Sequence, residues 1–427
     1  MRGLQNDICR IVVMVRESGF LNVRVRNGGM PGLLDGVKVL DLGQRISAPY
    51  CARTFANMGA EVVKVESPAG DEARRMGPFP DDSADPEKSG VFLALNLNKR
   101  GITLDLTTDE GAQTLRALVK TSDIIVENFP LGYLDDLGLG FETFREINPG
   151  IIHTSITPFG SWGPNKDWKA NDLTIYQMSG NAHGLLGTVE DPYNDPPIRA
   201  GGHQSEFVAG VAATTATLMA LFRRRMTGEG SHVELSAYEA MVTQIISGLA
   251  NSAYGRPGPP RDLRQVREAS VGGMVGAIGG VLPCTDGYVA ISPREDAQWA
   301  RWLEVMDNPP WATDERFITR EARQGHSQEL WQLLSEWTSQ YSKHEVARMG
   351  QEKRIPCFPV NTVADLLDDP HLAEREFFVE LDHPAAGSVK YPGVAYRFSN
   401  SPLPLDARPA PLLGEHNNQI IDALEQS

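Results

Sequence analysis

One acid heads the most apolar helix-forming stretch of the chain. Glu206 opens EFVAGVAATTATLMALF, directly after the glycine-rich run RAGGHQ that carries His203. A carboxylate in a first helical turn is stabilised by the positive end of the aligned peptide dipoles. Glu206 therefore reads either as a plain first-turn acid or as a nucleophile held against backbone amides. His203 is a general-base candidate from a glycine loop. Asp172 begins DLTIYQMSG, where it caps a short helix or orients a reacting group or a substrate amide.

A second set of residues suits an anionic ligand. NLNKRG brings together Asn96, Lys99 and Arg100. They form either a solvated turn or a phosphate clamp, since Arg offers a rigid donor fork and Lys a point charge. Arg74 and Arg75, in GDEARRMG, are another cationic pair beyond a strand end. Asn128 and Phe129 close VENF at a strand terminus, placed to meet a ligand's polar chain and apolar body, or simply to cap and pack. Cys51 near a helix start reads as a small buried residue rather than a thiolate.

The elements that must carry these residues are strands alternating with helices. GVKVLDLG is a strand leaving through Gly43, followed by a helix from about Pro49 to Met58 and a strand AEVVKVE ending at Glu66. GVFLALNLNKRGITLDL reads as a short strand, a polar turn and another strand. Thr107 and Glu110 then make a capping box for a helix reaching about Val119. SDIIVENF and GIIHTSIT are further strands, and SHVELS rejoins the same sheet after the long helix 205–225. That order predicts a doubly wound parallel sheet with a ligand crevice at its carboxyl edge. Beyond a linker, GAIGGVLPCTDGYVAISP is a hairpin opening a smaller α+β domain. The expected division is an N-terminal extension 1–30, a large domain 31–250, linker and small domain 251–350, and a return with a tail at 351–427.

Composition narrows the chemistry. The 427 residues exceed one comfortable core, and the formal charge of −15 disfavours nucleic acid and anionic membranes. The apolar run FVAGVAATTATLMALF is short of a bilayer span and suits a buried helix. Cys9, Cys51, Cys284 and Cys357 are too scattered for a disulfide scaffold or a metal site, and a cytoplasmic protein without metal is the expectation. No GxGxxG, GxxxxGK[ST] or GxSxG occurs, which argues against dinucleotide, P-loop and serine-hydrolase sites.

From about residue 34 to 245 the text resembles the family III coenzyme A transferases, a group that includes formyl-CoA transferase, carnitine CoA-transferase and 2-methylacyl-CoA racemases. The matching stretches are LDGVKVLDLGQRISAPYCARTFANMGAEVVKVESPAGDEAR, LNLNKRGITLDL, SDIIVENF, NPGIIHTSITPFGSWGP, DLTIYQMSG and EFVAGVAATTATLMALFRRRMTGEGSHVELSAYEAM. The resemblance implies a large doubly wound domain, a small domain and an interlocked homodimer, with acyl-CoA and a small carboxylic acid as substrates. It implies CoA contacts from Asn96, Lys99, Arg100, Asn128, Phe129, Arg74 and Arg75, and from the loop Arg45, Ser47 and Ala48. It also implies a carboxylate nucleophile that forms an anhydride and then an enzyme–CoA thioester, and EFVAG places Glu206 at the position of that acid, where the family has aspartate. Racemisation on this scaffold uses a histidine at the place of Asn171, and an amide does not abstract a proton. The competing readings are an epimerase or lyase on the same scaffold and a CoA-binding protein without turnover.

Overall fold

The computed structural model describes residues 32–184, 194–256, 280–293, 295–399 and 407–425. It divides into two compact units. The first comprises residues up to Ala170, Ser205–Ala240 and Glu376 onward; the second comprises Asn171–Gln204 and Met241–Arg375.

The first unit is built on a six-stranded parallel sheet in the order β3-β2-β1-β4-β5-β6. Its strands are β1 (Lys38–Asp41), β2 (Glu61–Glu66), β3 (Arg100–Thr103), β4 (Ile124–Glu127), β5 (Ile152–Thr157) and β6 (Ser231–Ser236). The order reverses between β1 and β4, so their exits diverge and leave a crevice at the carboxyl edge. β1, β2, β4 and β5 are buried along almost their whole length, as strands of a parallel sheet covered on both faces are. α1 (Ser47–Asn57) carries Ala52 and Phe55 into the interior. α2 (Gly90–Leu95) stands where the sequence suggested a short strand. Ser89 decides the matter, since its hydroxyl accepts the Phe92 N–H and caps a helical turn. α3 (Asp109–Val119) is capped by Thr108 rather than Thr107, a shift of one residue. α4 (Tyr133–Asp136) and α5 (Phe141–Ile147) follow β4.

The long helix, α7 (Gln204–Thr227), follows α6 (Asp172–Met178) of the second unit. One face of α7 is small: Ala209, Gly210, Ala213 and Thr217 are buried. A Cβ on Gly210 would stand 2.7 Å from the Ser47 carbonyl, so glycine lets α7 approach the first turn of α1. Thr217 and Thr154 of β5 share a hydroxyl–hydroxyl contact of 2.7 Å. The opposite face is not buried as the sequence suggested: Val211, Met219, Phe222 and Met226 are 53–74% exposed. By length and composition alone α7 is long and apolar enough to cross a membrane.

The tail returns to the first unit. A hairpin of β10 (Phe378–His383) and β11 (Gly387–Pro392) brings Tyr391 against Phe92 and Leu97. α11 (Asn417–Glu425) docks beside β3, where Asn417 accepts the Thr103 N–H at 2.8 Å and Ile420 joins the core of Leu40, Ile102, Leu115 and Phe144. The return begins at Glu376 rather than near residue 351, because β9 (Cys357–Val360) pairs with the strand Gly287–Ile291 of the other unit.

In the second unit, β7 (Gly280–Cys284) and β8 (Gly287–Ile291) form the expected hairpin, extended by β9 into a three-stranded antiparallel sheet. α8 (Asp296–Val305), α9 (Ser327–Thr338) and α10 (Lys343–Glu352) close its core around Trp302, Leu330 and Val346.

Candidate active site

The crevice of the first unit is made by the exits of β1, β2 and β4. β1 ends at Asp41, and the chain turns through Gly43, where a Cβ would meet the Ala48 side chain at 2.3 Å. Arg45 holds a left-handed backbone, φ 61°, that orients the loop into α1. Its N–H donates to Asp71 at 2.8 Å, and its guanidinium reaches Glu72 at 3.5 Å and Glu206 at 3.3 Å. Asn128 ties the β4 exit to this loop: its carbonyl accepts the Gln44 N–H at 2.7 Å, and its amide donates to the Gln44 carbonyl at 2.8 Å and the Ser47 hydroxyl at 3.0 Å. Phe129 follows, its ring 4.9 Å from that of Tyr133. A cavity of about 140 Å³ opens here between Leu42, Gln44, Ser67, Leu104 and Phe129. So Arg45, Ser47, Ala48, Asn128 and Glu206, drawn from distant parts of the sequence, cluster around the β1 exit, with Phe129 adjoining.

Of the cationic residues expected to clamp phosphate, Lys99 and Arg74 are interior. Lys99 is buried, with Nζ 2.7 Å from Asp41, 2.8 Å from the Pro49 carbonyl and 2.8 Å from the Asn96 side-chain oxygen Oδ1. Asn96 is equally enclosed and donates to the Phe92 carbonyl at 2.9 Å. Arg74 grips Glu66 in a bidentate pair at 2.7 and 2.8 Å, reaches Glu87 at 2.7 Å, and lies 3.7 Å over the Phe92 ring. Arg100 pairs with Glu61 across β2 and β3. Arg75 is exposed and donates to the Ala69 carbonyl at 3.3 Å. In this structure the polar ends of Asn96, Lys99, Arg74 and Arg100 are spent on the protein itself.

A second buried lysine, which the sequence reading passed over, shares Asp41 with Lys99. Lys64, in the middle of β2, has no solvent exposure and pairs with Asp71 at 2.7 Å and Asp41 at 4.0 Å. It also donates to the Gly43 carbonyl. Two lysines and two aspartates thus neutralise each other beneath the crevice floor. Burial pushes the Lys99 ammonium down to about 8, against the pull of Asp41, while the nearby acids Asp41 and Asp71 outweigh burial at Lys64 and push it up. The visible signal was a lysine at an inward position of an otherwise apolar strand. Cys51 is fully buried, and burial pushes its thiol up to about 12, which fits packing rather than thiolate chemistry.

The second unit places the remaining acid. Asn171, not Asp172, caps α6: its side chain accepts the Thr174 N–H at 3.1 Å, and Thr174 returns the bond to the Asn171 N–H at 2.9 Å. Asp172 is therefore the first helical residue, 4% exposed, and Arg199 meets its carboxylate at 2.6 Å. His203 is half-buried in the glycine-rich approach to α7.

The model of CoA-transferase family III matches residues 34–417. The chain belongs to that family. It is 31% identical over 92% of its length to the succinate–glutarate CoA-transferase of Agrobacterium fabrum, covering 96% of that protein. It is 33% identical over 92% of its length to the succinyl-CoA–D-citramalate CoA-transferase of Chloroflexus aurantiacus, covering 94% of it. Among solved structures, a CAIB/BAIF family protein from Brucella suis superposes with a TM-score of 0.81 at 32% identity, covering 92% of this chain and all of the other. Membership in CoA-transferase family III accounts for the doubly wound unit with a crevice at its edge. Among the described residues no group of histidines, cysteines and carboxylates has the geometry of a metal site.

Proposed function

We propose that the protein moves coenzyme A from an acyl-CoA donor to a small carboxylic acid, with Asp172 as the covalent nucleophile. The support from relatives is the activity named for the Agrobacterium and Chloroflexus proteins, both of which pair dicarboxylic acids. Succinyl-CoA with a dicarboxylate acceptor is accordingly the first substrate pair to test.

The observation that carries Asp172 is its release from capping. Asn171 and Thr174 satisfy the first turn of α6, which leaves the buried Asp172 carboxylate, paired with Arg199 at 2.6 Å, at the positive end of that helix with no capping task. In the proposed reaction a carboxylate oxygen attacks the thioester carbonyl, the C–S bond breaks and CoA thiolate leaves. The thiolate attacks the side-chain carbon of the mixed anhydride and expels the donor acid, giving an enzyme–CoA thioester. The acceptor acid attacks that thioester and forms a second anhydride. The thiolate then takes the acceptor acyl group and regenerates the side chain. Splitting a difficult exchange into addition steps at one carboxylate is covalent catalysis. In this reading Asn128, Phe129 and the Arg45–Ala48 loop contact CoA, and His203 assists as a base.

Glu206 supports a second reading, because it heads α7 and sits at the crevice through its 3.3 Å contact with Arg45. Against it, Arg45 already bridges Glu72 and Asp71, so Glu206 reads as one end of the tie that holds the β1 exit loop. Hydroxylamine trapping during incubation with succinyl-CoA, followed by peptide mass mapping, separates the two. A hydroxamate at Asp172 is expected; one at Glu206 establishes the second reading, and none at either removes the covalent mechanism.

The exposed face of α7, with Phe207, Val211, Met219, Phe222 and Met226 recurring along one side, favours a second copy of this chain as its cover, the dimer the family resemblance implies. Light scattering on the wild type and on Phe222→Glu measures this, and a dimer for the first with a monomer for the second is the expected pair.

A further inference from the structure

Phe129 lines a second cavity as well as the crevice. This one, about 220 Å³, lies at the ends of β4, β5 and β6. Glu127, the last residue of β4, stands between the two, 6% exposed. Its Oε2 accepts the Phe129 N–H at 2.6 Å, and its Oε1 faces His153 Nε2 at 3.7 Å. The Ser155 hydroxyl lies 3.1 Å from His232 Nε2 and 3.5 Å from His153 Nε2. Phe141 stacks on His232 at 5.2 Å. The other charged residues around this cavity are Asp135 of α4, Glu142 of α5 and Glu234 of β6, and no lysine or arginine is among the described residues that line it.

The short bond to Phe129 N–H has a structural consequence. β4 stops at Glu127, and the next two residues turn away from the sheet into the crevice wall. Asn128 is held from the crevice side by its bonds to Gln44 and Ser47. Phe129 is held from the other side, by the carboxylate of the residue two before it. We infer that Glu127 is a positioning residue for the CoA crevice, its carboxylate pinning the Phe129 amide and thereby fixing the Asn128–Phe129 turn. The inference rests on the reading of that turn as a CoA contact.

The electrostatics agree. Burial pushes the Glu127 carboxyl up to about 7, with Asp135 adding to the rise, while hydrogen bonds from Ser155 and the Phe129 N–H oppose it. Burial pushes His153 down to about 3, and His232 is lowered for the same reason, so neither imidazole supplies a compensating charge near neutrality. An ionised acceptor binds an N–H roughly twice as strongly as a neutral one. The pin therefore slackens as pH falls through about 7.

The test uses the full-length protein and calorimetric titration with desulfo-CoA, which lacks a titrating thiol. Wild type, Glu127→Gln, Glu127→Ala, Asn128→Ala and Phe129→Ala are compared at pH 6 and pH 8, with a thermal melt on each. At pH 8 Glu127→Ala is expected to weaken binding about tenfold, and Glu127→Gln, which keeps an acceptor oxygen, about twofold. Wild type is expected to lose about twofold more affinity than Glu127→Gln between pH 8 and pH 6, falling to the level of that variant. If Asn128→Ala weakens binding while Glu127→Ala binds as wild type does, the positioning role is overturned and the crevice stands. If Asn128→Ala and Phe129→Ala both bind normally, the crevice reading itself fails and takes the inference with it. Should Glu127→Ala melt below the working temperature, the Glu127→Gln profile alone decides: a slope parallel to wild type overturns the proposal.

Discussion

Replacing Lys99 by methionine distinguishes an interior ion pair from a phosphate clamp. The ammonium satisfies three acceptors: Asp41, the Pro49 carbonyl and the Asn96 side-chain oxygen Oδ1, all within 2.7–2.8 Å. Methionine has a similar volume and satisfies none of them. Each neutral acceptor left dry costs about 1–3 kcal/mol. Asp41 keeps the Gly43 N–H, at 3.0 Å, and Lys64, at 4.0 Å, and removing one partner of a buried ion pair costs about 3–5 kcal/mol in measured cases. One effect works the other way. Burial depresses Lys99 to about 8, so the folded state already bears a penalty for its charge, and methionine relieves that. The expected net loss is therefore near the low end, about 3 kcal/mol, out of a typical total of about 5–15 kcal/mol. Urea denaturation of Lys99→Met measures it, and Asp41→Asn added to Lys99→Met is expected to restore about 1–2 kcal/mol, since the two sites are coupled. Desulfo-CoA affinity should stay within about twofold, because Lys99 does not reach the crevice surface. A stability loss below about 1 kcal/mol together with a tenfold weaker CoA affinity refutes the reasoning and returns Lys99 to the ligand.

The same residue sets a pH dependence. Its folded pKa lies below the ordinary 10.5, so between pH 8 and 10.5 the unfolded chain binds more protons and stability relative to Lys99→Met rises with pH; denaturation midpoints that fall in parallel for both proteins across that window would contradict it. Asp172→Asn should cut kcat by at least about 1000-fold with CoA affinity unchanged, whereas Glu206→Gln should cost about tenfold or less, read from steady-state kinetics. Gly210→Val, whose side chain meets the Ser47 carbonyl 2.7 Å from its Cβ, should destabilise the protein by about 2–3 kcal/mol in a thermal or urea melt and lift α7 from α1.

Much of the fold was legible because the signals were local. Apolar runs bounded by glycines marked the strands of the parallel sheet, and the TDG turn marked the small unit's hairpin. The failure at GVFLAL came from competition between pattern and cap: six largely apolar residues suit either element, and Ser89 tipped them into a helix. The site was harder to read, because its polar residues answer to partners far away in sequence. Lys99 and Asp41 are 58 positions apart, and Arg45 and Glu206 are 161 apart. Nothing in NLNKRG shows that its lysine turns inward; the hint lay elsewhere, in Lys64 and Asp41. The local question that remained open, whether Asp172 caps its helix, was decided by its neighbour, since Asn171 and Thr174 form the reciprocal pair.

Oxygen tracing reaches the central claim most directly. Turnover with succinyl-CoA and an acceptor acid carrying oxygen-18 in its carboxylate passes one labelled oxygen to the enzyme's side chain, and the next turnover passes it to the released donor acid. The account predicts label in the succinate formed and in the peptide containing Asp172, both lost in Asp172→Asn. Labelled acceptor consumed with no label in succinate, or label confined to the peptide containing Glu206, would contradict it.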